Sequence, residues 1–248
     1  MSCRIRKPGD LMSHAVLSML LLMLSACATV DPEYADPRDP LESFNRSMFT
    51  FNDNLDQYVA KPLARGYKKI TPEPIDKGIS NFFSNLDDVG TIVNNGLQFK
   101  FKDAISDLGR LAVNSTIGLL GLLDVASSMG LPKHYEDFGQ TLGVWGMGPG
   151  PYLVLPVIGP GSGRDTLGFA VDWFTNPLYY LVEDDGVSWG LYIIRFVDRR
   201  ADLLKTTELL ESAALDPYAF MREAYLQRRQ NQVYDGNPPL EDIFGDEP

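Results

Sequence analysis

Cysteine and histidine are scarce in this chain, and their scarcity excludes several classes of site. The 248 residues contain 2 Cys and 2 His. Cys3 and His14 lie in an N-terminal segment that we interpret below as a cleaved signal, and Cys27 lies at its end. A disulfide framework, a Cys/His zinc site and a cysteine nucleophile are therefore not available to the rest of the chain. A Ser-His-Asp triad would have to use His134, which we interpret as a solvated histidine in a polar loop.

Clustered basic residues and the motifs of common enzymes are also missing. Lys and Arg number 22 against 33 Asp and Glu, which gives a formal net charge of −11. Binding to nucleic acid, or docking on anionic lipid through a basic patch, needs clustered Lys and Arg, so the composition argues against both. No G-x-x-x-x-G-K-[ST] loop or H-E-x-x-H pair occurs. We therefore assign no catalytic residue and no metal ligand.

A short apolar run near the N-terminus ends in a cysteine. Basic residues precede an apolar stretch over residues 15–26, a pattern typical of a secretory signal peptide and shorter than the ~20 residues of a spanning helix. Its ending, Leu-Ser-Ala-Cys, resembles the lipobox of bacterial lipoproteins, in which Cys27 receives a lipid and becomes the first mature residue. Ala28 stands where an Asp would resemble an inner-membrane retention signal, which favours the outer membrane. The alternative is a plain cleaved signal with an incidental Cys27.

Changes in composition divide the chain into four parts. Residues 1–26 form the predicted lipoprotein signal peptide, and residues 27–38 form a short polar tether that would carry the lipid. Residues 39–234 form a single predicted domain, because no internal repeat or convincing linker divides them. Residues 235–248 are acidic and rich in proline, which predicts a mobile tail.

Apolar residues recur at helical spacing along the domain, which predicts a mostly α-helical fold. Asp39 is expected to cap the first helix, with Pro40 at its first position and Glu42 completing a capping box. Further helical stripes cover residues 75–97, 101–111, 164–181 and about 187–204.

The last helix repeats the same kind of start. Asp216 would cap it and Pro217 would occupy its first position. Its apolar stripe is expected to face the core. The arginines on the other side, Arg222, Arg228 and Arg229, are expected to face outward.

The stretch from Leu111 to Leu131 is unusually apolar. It has one charged residue, Asp124, and is interrupted by Gly118 and Gly121. We interpret it as a helical hairpin that lies in or under a membrane, or alternatively as a buried hairpin of a soluble core. The two glycines could act as a hinge, or they could allow tight helix contact.

A second unusual stretch, from Gly139 to Gly163, is rich in glycine and proline. Its apolar residues include Trp145 and Tyr152. The composition predicts neither a regular helix nor a long strand. Irregular backbone within lipid persists only where it is buried in protein or faces a water-filled cavity. We therefore expect this segment to form a wall or floor of an internal space.

Several short motifs, taken in order, resemble the MlaA family, also called VacJ-like lipoproteins. The likeness extends over roughly residues 36–232 and departs from the family pattern at the glycine-rich stretch 159–163. The motifs are Asp39-Pro40-Leu41-Glu42-Ser43-Phe44-Asn45-Arg46, Ser80-Asn81-Phe82, Asn114-Ser115-Thr116-Ile117-Gly118, Phe138-Gly139-Gln140-Thr141-Leu142-Gly143, Gly150-Pro151-Tyr152, Arg164-Asp165 and Asp216-Pro217-Tyr218.

The resemblance implies an architecture and a function. Family members are helical rings in the inner leaflet of the outer membrane, with an amphipathic central channel. They remove phospholipid that has strayed into the outer leaflet and pass it to a periplasmic lipid-carrier protein, and they associate with trimeric porins. No cofactor is implied apart from the lipid on Cys27. The residues alone leave two alternatives open, a lipoprotein hydrolase of lipid or cell wall and an inert scaffold docked on porin.

Eight residues are candidates for the channel or the hairpin. Asn114, Thr116 and Asp124 are expected to lie near a polar path, or else to brace the hairpin. Arg164 would either pair with Asp165 or contact a lipid phosphate. The full set is Asn114, Thr116, Gly118, Gly121, Asp124, Trp145, Tyr152 and Arg164.

Overall fold

Helices dominate residues 36–239, the part of the chain that the computed structural model describes. The predicted signal peptide, Cys27, the tether up to residue 35 and residues 240–248 of the predicted tail lie outside the described residues. The helices are α1 Glu42–Leu55, α2 Lys61–Ile70, α3 Glu73–Leu97, α4 Phe101–Thr116, α5 Val125–Ser128, α6 Phe138–Val144, α7 Gly163–Thr175, α8 Pro177–Leu181, α9 Asp185–Asp202, α10 Leu204–Ala213 and α11 Pro217–Val233.

Other backbone elements connect these helices. A π-helical turn, Asp56–Ala60, joins α1 to α2 without a break. Strands β1 Tyr152–Leu155 and β2 Gly159–Ser162 form an antiparallel hairpin, with Tyr152 opposite Ser162. The prediction of a mostly α-helical single domain is confirmed.

The start of α1 differs from the prediction. The helix begins at Glu42, and Leu41 precedes it without any side-chain cap. The Asp39 carboxylate is buried and accepts hydrogen bonds from Asn45 Nδ2 at 2.7 Å, from Arg222 Nη1 at 3.1 Å and from the Tyr218 hydroxyl. The proposed capping box is therefore wrong, because Asp39 ties α1 to the distant α11 instead of serving its own helix.

The start of α11 follows the prediction. The Asp216 carboxylate accepts hydrogen bonds from the backbone N–H groups of Tyr218 at 3.0 Å and Ala219 at 3.2 Å, and Pro217 is the first helical residue. A carboxylate at this position satisfies N–H groups that have no partner within the helix.

The long hairpin of α3 and α4 shows which side of the domain faces inward. The predicted stripe over residues 75–97 does form one helix, α3. Its buried side nevertheless carries mostly polar side chains, whereas Ile75, Val93 and Leu97 are exposed. The buried residues of α3 are Asp76, Phe83, Asn85, Asp88, Thr91, Asn94 and Asn95.

An apolar core exists but is small. Tyr152, Val154 and Tyr218 form it where the strand hairpin meets α1 and α11, and Met48 and Phe49 pack against it. Elsewhere the buried residues of the described chain are mainly polar or charged. No helix between residues 36 and 239 is both long enough and apolar enough to cross a membrane.

The apolar stretch 111–131 forms a hairpin with an exposed tip. After α4 the chain reverses through Leu119, Leu120 and Gly121, whose φ angles are 54°, 59° and 87°. The short helix α5 then returns toward α4. The alternative of a hairpin buried in a soluble core is wrong, because Leu119 and Leu120 are both exposed.

The glycine-rich stretch 139–163 is more regular at its start than predicted. Residues Phe138–Val144 form α6, whose N-terminal Gln140 N–H donates to the Asp137 carboxylate at 2.8 Å. The prediction of an irregular segment is wrong there, because the Asp137 cap stabilises a helix in spite of the glycines. No long strand forms in the rest of the stretch, which contains β1 and β2.

Candidate functional site

Large apolar side chains cover the outside of the described domain. The exposed fraction of Leu120 at the tip of the 111–131 hairpin is 72%, and that of Phe99 in the turn between α3 and α4 is 76%. The outer faces of α7 to α9 add Phe174, Leu181, Val187, Trp189 and Ile193. Leaving so much apolar surface in water is unfavourable by ~25 cal/mol per Å², so an exterior of this extent is suited to contact with hydrocarbon.

A network of charged side chains fills the space between α3, α4 and the loop that follows α5. Lys133 Nζ contacts the fully buried carboxylate of Asp88 and donates to the Ser84 carbonyl at 2.8 Å. The Asp107 carboxylate, also fully buried, accepts from Asn95 Nδ2 at 2.9 Å. Buried charges are stable only when they are paired, and Lys133 pairs with Asp88 here. Asp88 Oδ2 itself accepts no hydrogen bond within the described residues and lies 4.0 Å from Arg110 Nε.

His134 belongs to this network and is not the solvated loop histidine that the sequence suggested. Its Nδ1 lies 2.9 Å from the Asp107 carboxylate, and its Nε2 lies 3.8 Å from that of Asp103. The sequence around His134 is polar, so it indicated an exposed loop. The two carboxylates that the ring contacts belong to α4, which is distant in the sequence, so this contact could not be predicted.

Two of the predicted residues, Asn114 and Asp124, hold the 111–131 hairpin together. Asn114 Nδ2 donates to Asp124 Oδ1 at 3.1 Å, and the Ala126 N–H donates back to Asn114 Oδ1 at 2.9 Å. Arg110 Nη2 lies 3.2 Å from Asp124. Burial opposes ionisation of Asp124, but hydrogen bonds from Ser127 and Asn114 and the Arg110 charge outweigh it and hold its pKa at about 2. This geometry corresponds to the bracing role.

Thr116, Gly118 and Gly121 complete the predicted set in the hairpin. The Thr116 hydroxyl donates to the Ala112 carbonyl of its own helix at 2.7 Å. A Cβ on Gly118 would lie 2.3 Å from the Leu123 carbonyl oxygen, and one on Gly121 would lie 2.6 Å from the side chain of Asn85. Both glycines therefore stand where the chain makes close contacts, which supports tight packing over a hinge.

A second charged cluster joins α6, α7 and α11. Arg229 binds Asp137 through Nη1 at 2.6 Å and Asp165 through Nη2 at 2.8 Å, and the Tyr225 hydroxyl donates to Asp165 at 2.5 Å. Burial raises the pKa of Asp165, but the hydrogen bonds and charge of Arg229 more than offset it, and the pKa is about 2. The expected outward orientation is wrong for Arg222 and Arg229, which are both largely buried in ion pairs.

Arg164, Trp145 and Tyr152 have separate positions. Arg164 has an exposed fraction of 6%, and its Nε lies 3.1 Å from Asp165, so it forms the internal ion pair. Trp145 is exposed and donates from Nε1 to the Leu97 carbonyl at 3.1 Å. Tyr152 is fully buried in the apolar core.

The strand hairpin, α7 and α11 line an open cleft of about 370 Å³. Its lining combines apolar side chains, Leu155, Ile158 and Phe169, with charged ones that include Asp172 and Arg228. Such a mixed lining can hold a ligand with an apolar part and a polar part. Within residues 36–239 no group of His, Cys, Asp and Glu is arranged to hold a metal ion.

The comparisons with known proteins agree with one another. Residues 37–232 match the family model described as MlaA lipoprotein. The Haemophilus influenzae protein named intermembrane phospholipid transport system lipoprotein MlaA is 35% identical, over 90% of this chain and 92% of that protein. The Escherichia coli K12 protein of the same name is 36% identical over 86% of both. A solved structure described as the structural basis for maintenance of bacterial outer membrane lipid asymmetry is 37% identical with a TM-score of 0.70, covering 80% of this chain and 99% of that one.

Proposed function

The chain belongs to the MlaA lipoprotein family, and we infer from this that it is an intermembrane phospholipid transport lipoprotein that maintains the lipid asymmetry of the outer membrane. It is an outer-membrane lipoprotein and not an enzyme. We propose further that it removes mislocalised phospholipid from the outer leaflet and passes it to a periplasmic lipid-carrier protein. Cys27 would carry the anchoring lipid.

The observation that carries this proposal is the inverted distribution of polar and apolar residues. A phospholipid has apolar chains and a charged head group, so a protein that moves it must contact hydrocarbon outside and offer polar surface inside. The apolar outer faces of the described helices meet the first need, and the buried charged residues of α3, α4, α7 and α9 meet the second. Charge facing the bilayer centre would be unfavourable by at least ~2.5 kcal/mol per residue.

We propose that the domain lies in the inner, periplasm-facing leaflet of the outer membrane, as the family resemblance implies. Its many exposed apolar side chains support contact with hydrocarbon there. There it would form a ring of helices around an amphipathic channel. The family resemblance supports a trimeric porin as the partner that holds this ring in place, and the exposed apolar side chains offer surface for such contact.

A hydrolase remains less well supported than transport. His134 would have to be the base, but among the described residues its ring contacts the carboxylates of Asp103 and Asp107 and no serine or threonine hydroxyl. A general base needs its nucleophile within hydrogen-bond reach. An inert scaffold, the other alternative, would not require a charged interior of this size.

The proposal is tested in a strain that lacks the protein. We expect phospholipid to accumulate in the outer leaflet and the cells to become sensitive to detergent. The wild-type chain should reverse both effects, and a variant of the exposed Arg65–Glu208 ion pair, Arg65→Gln, should do so equally well. Unchanged outer-leaflet phospholipid in the deletion strain, with no other transporter to compensate, would refute the function. Phospholipid hydrolysis by the purified protein would favour the hydrolase.

A further inference from the structure

One carboxylate in the cleft between the strand hairpin, α7 and α11 differs from its neighbours. Three aspartates line this cleft of about 370 Å³, namely Asp137, Asp165 and Asp172. Arg229 forms ion pairs with the first two, at 2.6 Å and 2.8 Å. Within residues 36–239, no ion pair joins Asp172 to Arg228, the other arginine of the lining, or to any other basic residue. Asp172 is therefore the aspartate of this lining whose charge is left without a cationic partner.

The Asp172 carboxylate is fixed in position but not neutralised. Both of its oxygens accept the Phe138 N–H, at 3.0 Å and 3.3 Å, and this contact orients the group. Burial raises its pKa to about 6, while the Phe138 hydrogen bond partly opposes the rise and the negative charge of Asp137 adds to it. A raised carboxylate pKa means that the surroundings stabilise the negative charge less well than water does. A cation bound in the cleft would supply the missing stabilisation.

The rest of the lining indicates which kind of cation fits. A metal ion needs several oxygen ligands, and no group of His, Cys, Asp and Glu in residues 36–239 is arranged to hold one. An organic ammonium group can bind a single carboxylate, and the carbon chain that carries it suits the apolar side chains of the lining, Leu155, Ile158 and Phe169. Arg228, on the same lining, would attract a phosphate group in the same molecule. The cleft therefore suits a ligand that joins an ammonium, a phosphate and an apolar part.

We propose that the Asp172 carboxylate binds the ammonium group of an ethanolamine phospholipid in this cleft. The inference rests on the proposed function and names the class of phospholipid that the cleft selects. An ammonium group has three N–H donors and forms a charge-assisted hydrogen bond with a carboxylate. Phe169 lies one turn before Asp172 on α7, and its ring would contact the carbons next to the head group. A phospholipid whose head group has no positive charge, such as phosphatidylglycerol, would gain nothing from Asp172.

The test compares lipid binding by two variants of the full lipidated protein in detergent at pH 8, where Asp172 is ionised. Asp172→Asn removes the charge and keeps the shape of the side chain. The matched control, Asp53→Asn, removes the same charge from α1, at a position with no ion pair within the described residues. The lipid probes are phosphatidylethanolamine, N-acetylated phosphatidylethanolamine, which lacks the positive charge, and phosphatidylglycerol. Glycerophosphoethanolamine, the same head group without acyl chains, serves as a soluble competitor. Circular dichroism measures the helix content of each variant.

We expect Asp172→Asn to bind phosphatidylethanolamine about tenfold more weakly than the wild type, which corresponds to the loss of one charge-assisted hydrogen bond. Its binding of the other two lipids should not weaken, and Asp53→Asn should resemble the wild type throughout. An unchanged preference for phosphatidylethanolamine in Asp172→Asn would overturn the inference. Displacement of the lipid by an equal concentration of glycerophosphoethanolamine would also overturn it, because the cleft would then recognise the free head group. The wild type provides a test that does not depend on the folding of any variant, since equal binding of phosphatidylethanolamine and its N-acetylated form would refute a role for the ammonium.

Failure of the inference is distinguishable from failure of the proposed function. If the wild-type chain binds all three lipids equally and restores the barrier of the deletion strain, the inference is refuted and the function stands. If the wild-type chain neither binds phospholipid nor restores the barrier, the proposed function itself fails.

Discussion

Replacement of Asp172 by Asn should stabilise the folded protein at neutral pH. This carboxylate lies on α7 and accepts the Phe138 N–H at 3.0 Å. Burial raises its pKa, the Phe138 hydrogen bond partly opposes the rise, and the negative charge of Asp137 adds to it, so that the pKa is about 6 against an ordinary 3.8. At about 1.4 kcal/mol per pKa unit the unfavourable ionisation amounts to at most about 3 kcal/mol. Solvent screening of a partly exposed side chain reduces this, and we expect about 1–2 kcal/mol.

The sign of the pH dependence follows from the raised pKa. Between about pH 4 and pH 6 the folded protein holds a proton on Asp172 that the unfolded chain has already released. The contribution of this group is therefore most favourable below about pH 4, and it is lost as the pH rises through about 6. Asn at position 172 can still accept the Phe138 N–H, and it has no charge to bury, so the difference between variant and wild type should grow across this interval.

The assay is chemical unfolding of the full protein in detergent, followed by circular dichroism at pH 5, 6, 7 and 8. The free energy of unfolding of Asp172→Asn should exceed that of the wild type most at pH 7 and 8, and by a clearly smaller amount at pH 5. The matched control is Asp53→Asn, a change on α1 outside this charged cluster. The reasoning would be refuted if the difference in free energy of unfolding between the variant and the wild type were the same at pH 5 and pH 8. It would also be refuted if the variant were less stable than the wild type at pH 8.

Three further substitutions test other features. Cys27→Ala should leave a folded protein that no longer fractionates with the outer membrane. Stable anchoring requires two or more acyl chains, each of which contributes ~0.8 kcal/mol per buried methylene. If the variant fractionated like the wild type, the lipobox interpretation would be contradicted. Gly118→Ala should destabilise the fold by about 1–3 kcal/mol through its contacts with backbone oxygens, whereas Gly90→Ala, with open space around it, should be neutral or stabilising. Arg229→Met should destabilise the fold by about 3–5 kcal/mol, because the carboxylates of Asp137 and Asp165 lose their partner. A loss of stability under about 1 kcal/mol would show that this charged cluster is solvated.

Helix positions could be predicted from the sequence more reliably than the side that each helix buries. The stripe along α3 has helical period, so the element is recognisable, but Ile75 and Val93 on that stripe face outward. The rule that apolar residues face inward holds for a domain in water. A domain in lipid is surrounded by hydrocarbon. An apolar stripe with helical period can then face outward instead of inward.

Interactions between distant parts of the chain were the main features that the sequence did not reveal. Asp39 looked like a local helix cap, whereas it binds Tyr218 and Arg222 on α11. Asp124 and Asn114 are ten residues apart, and their bracing role could be considered in advance because a hairpin brings such positions together. The pairing of Arg229 with Asp137 and Asp165 spans more than sixty residues and had no comparable signal.

The inverted distribution of side chains affects how the chain reaches its folded form. In water, burial of apolar surface drives folding, but here the largest apolar surfaces stay on the outside. A chain released into an aqueous compartment would gain little by adopting this fold and would expose the same surface to other chains. Docking of the apolar exterior and closure of the charged interior must therefore occur together at the membrane. Until a lipid surface covers it, an exterior of this kind would favour association with other apolar surfaces.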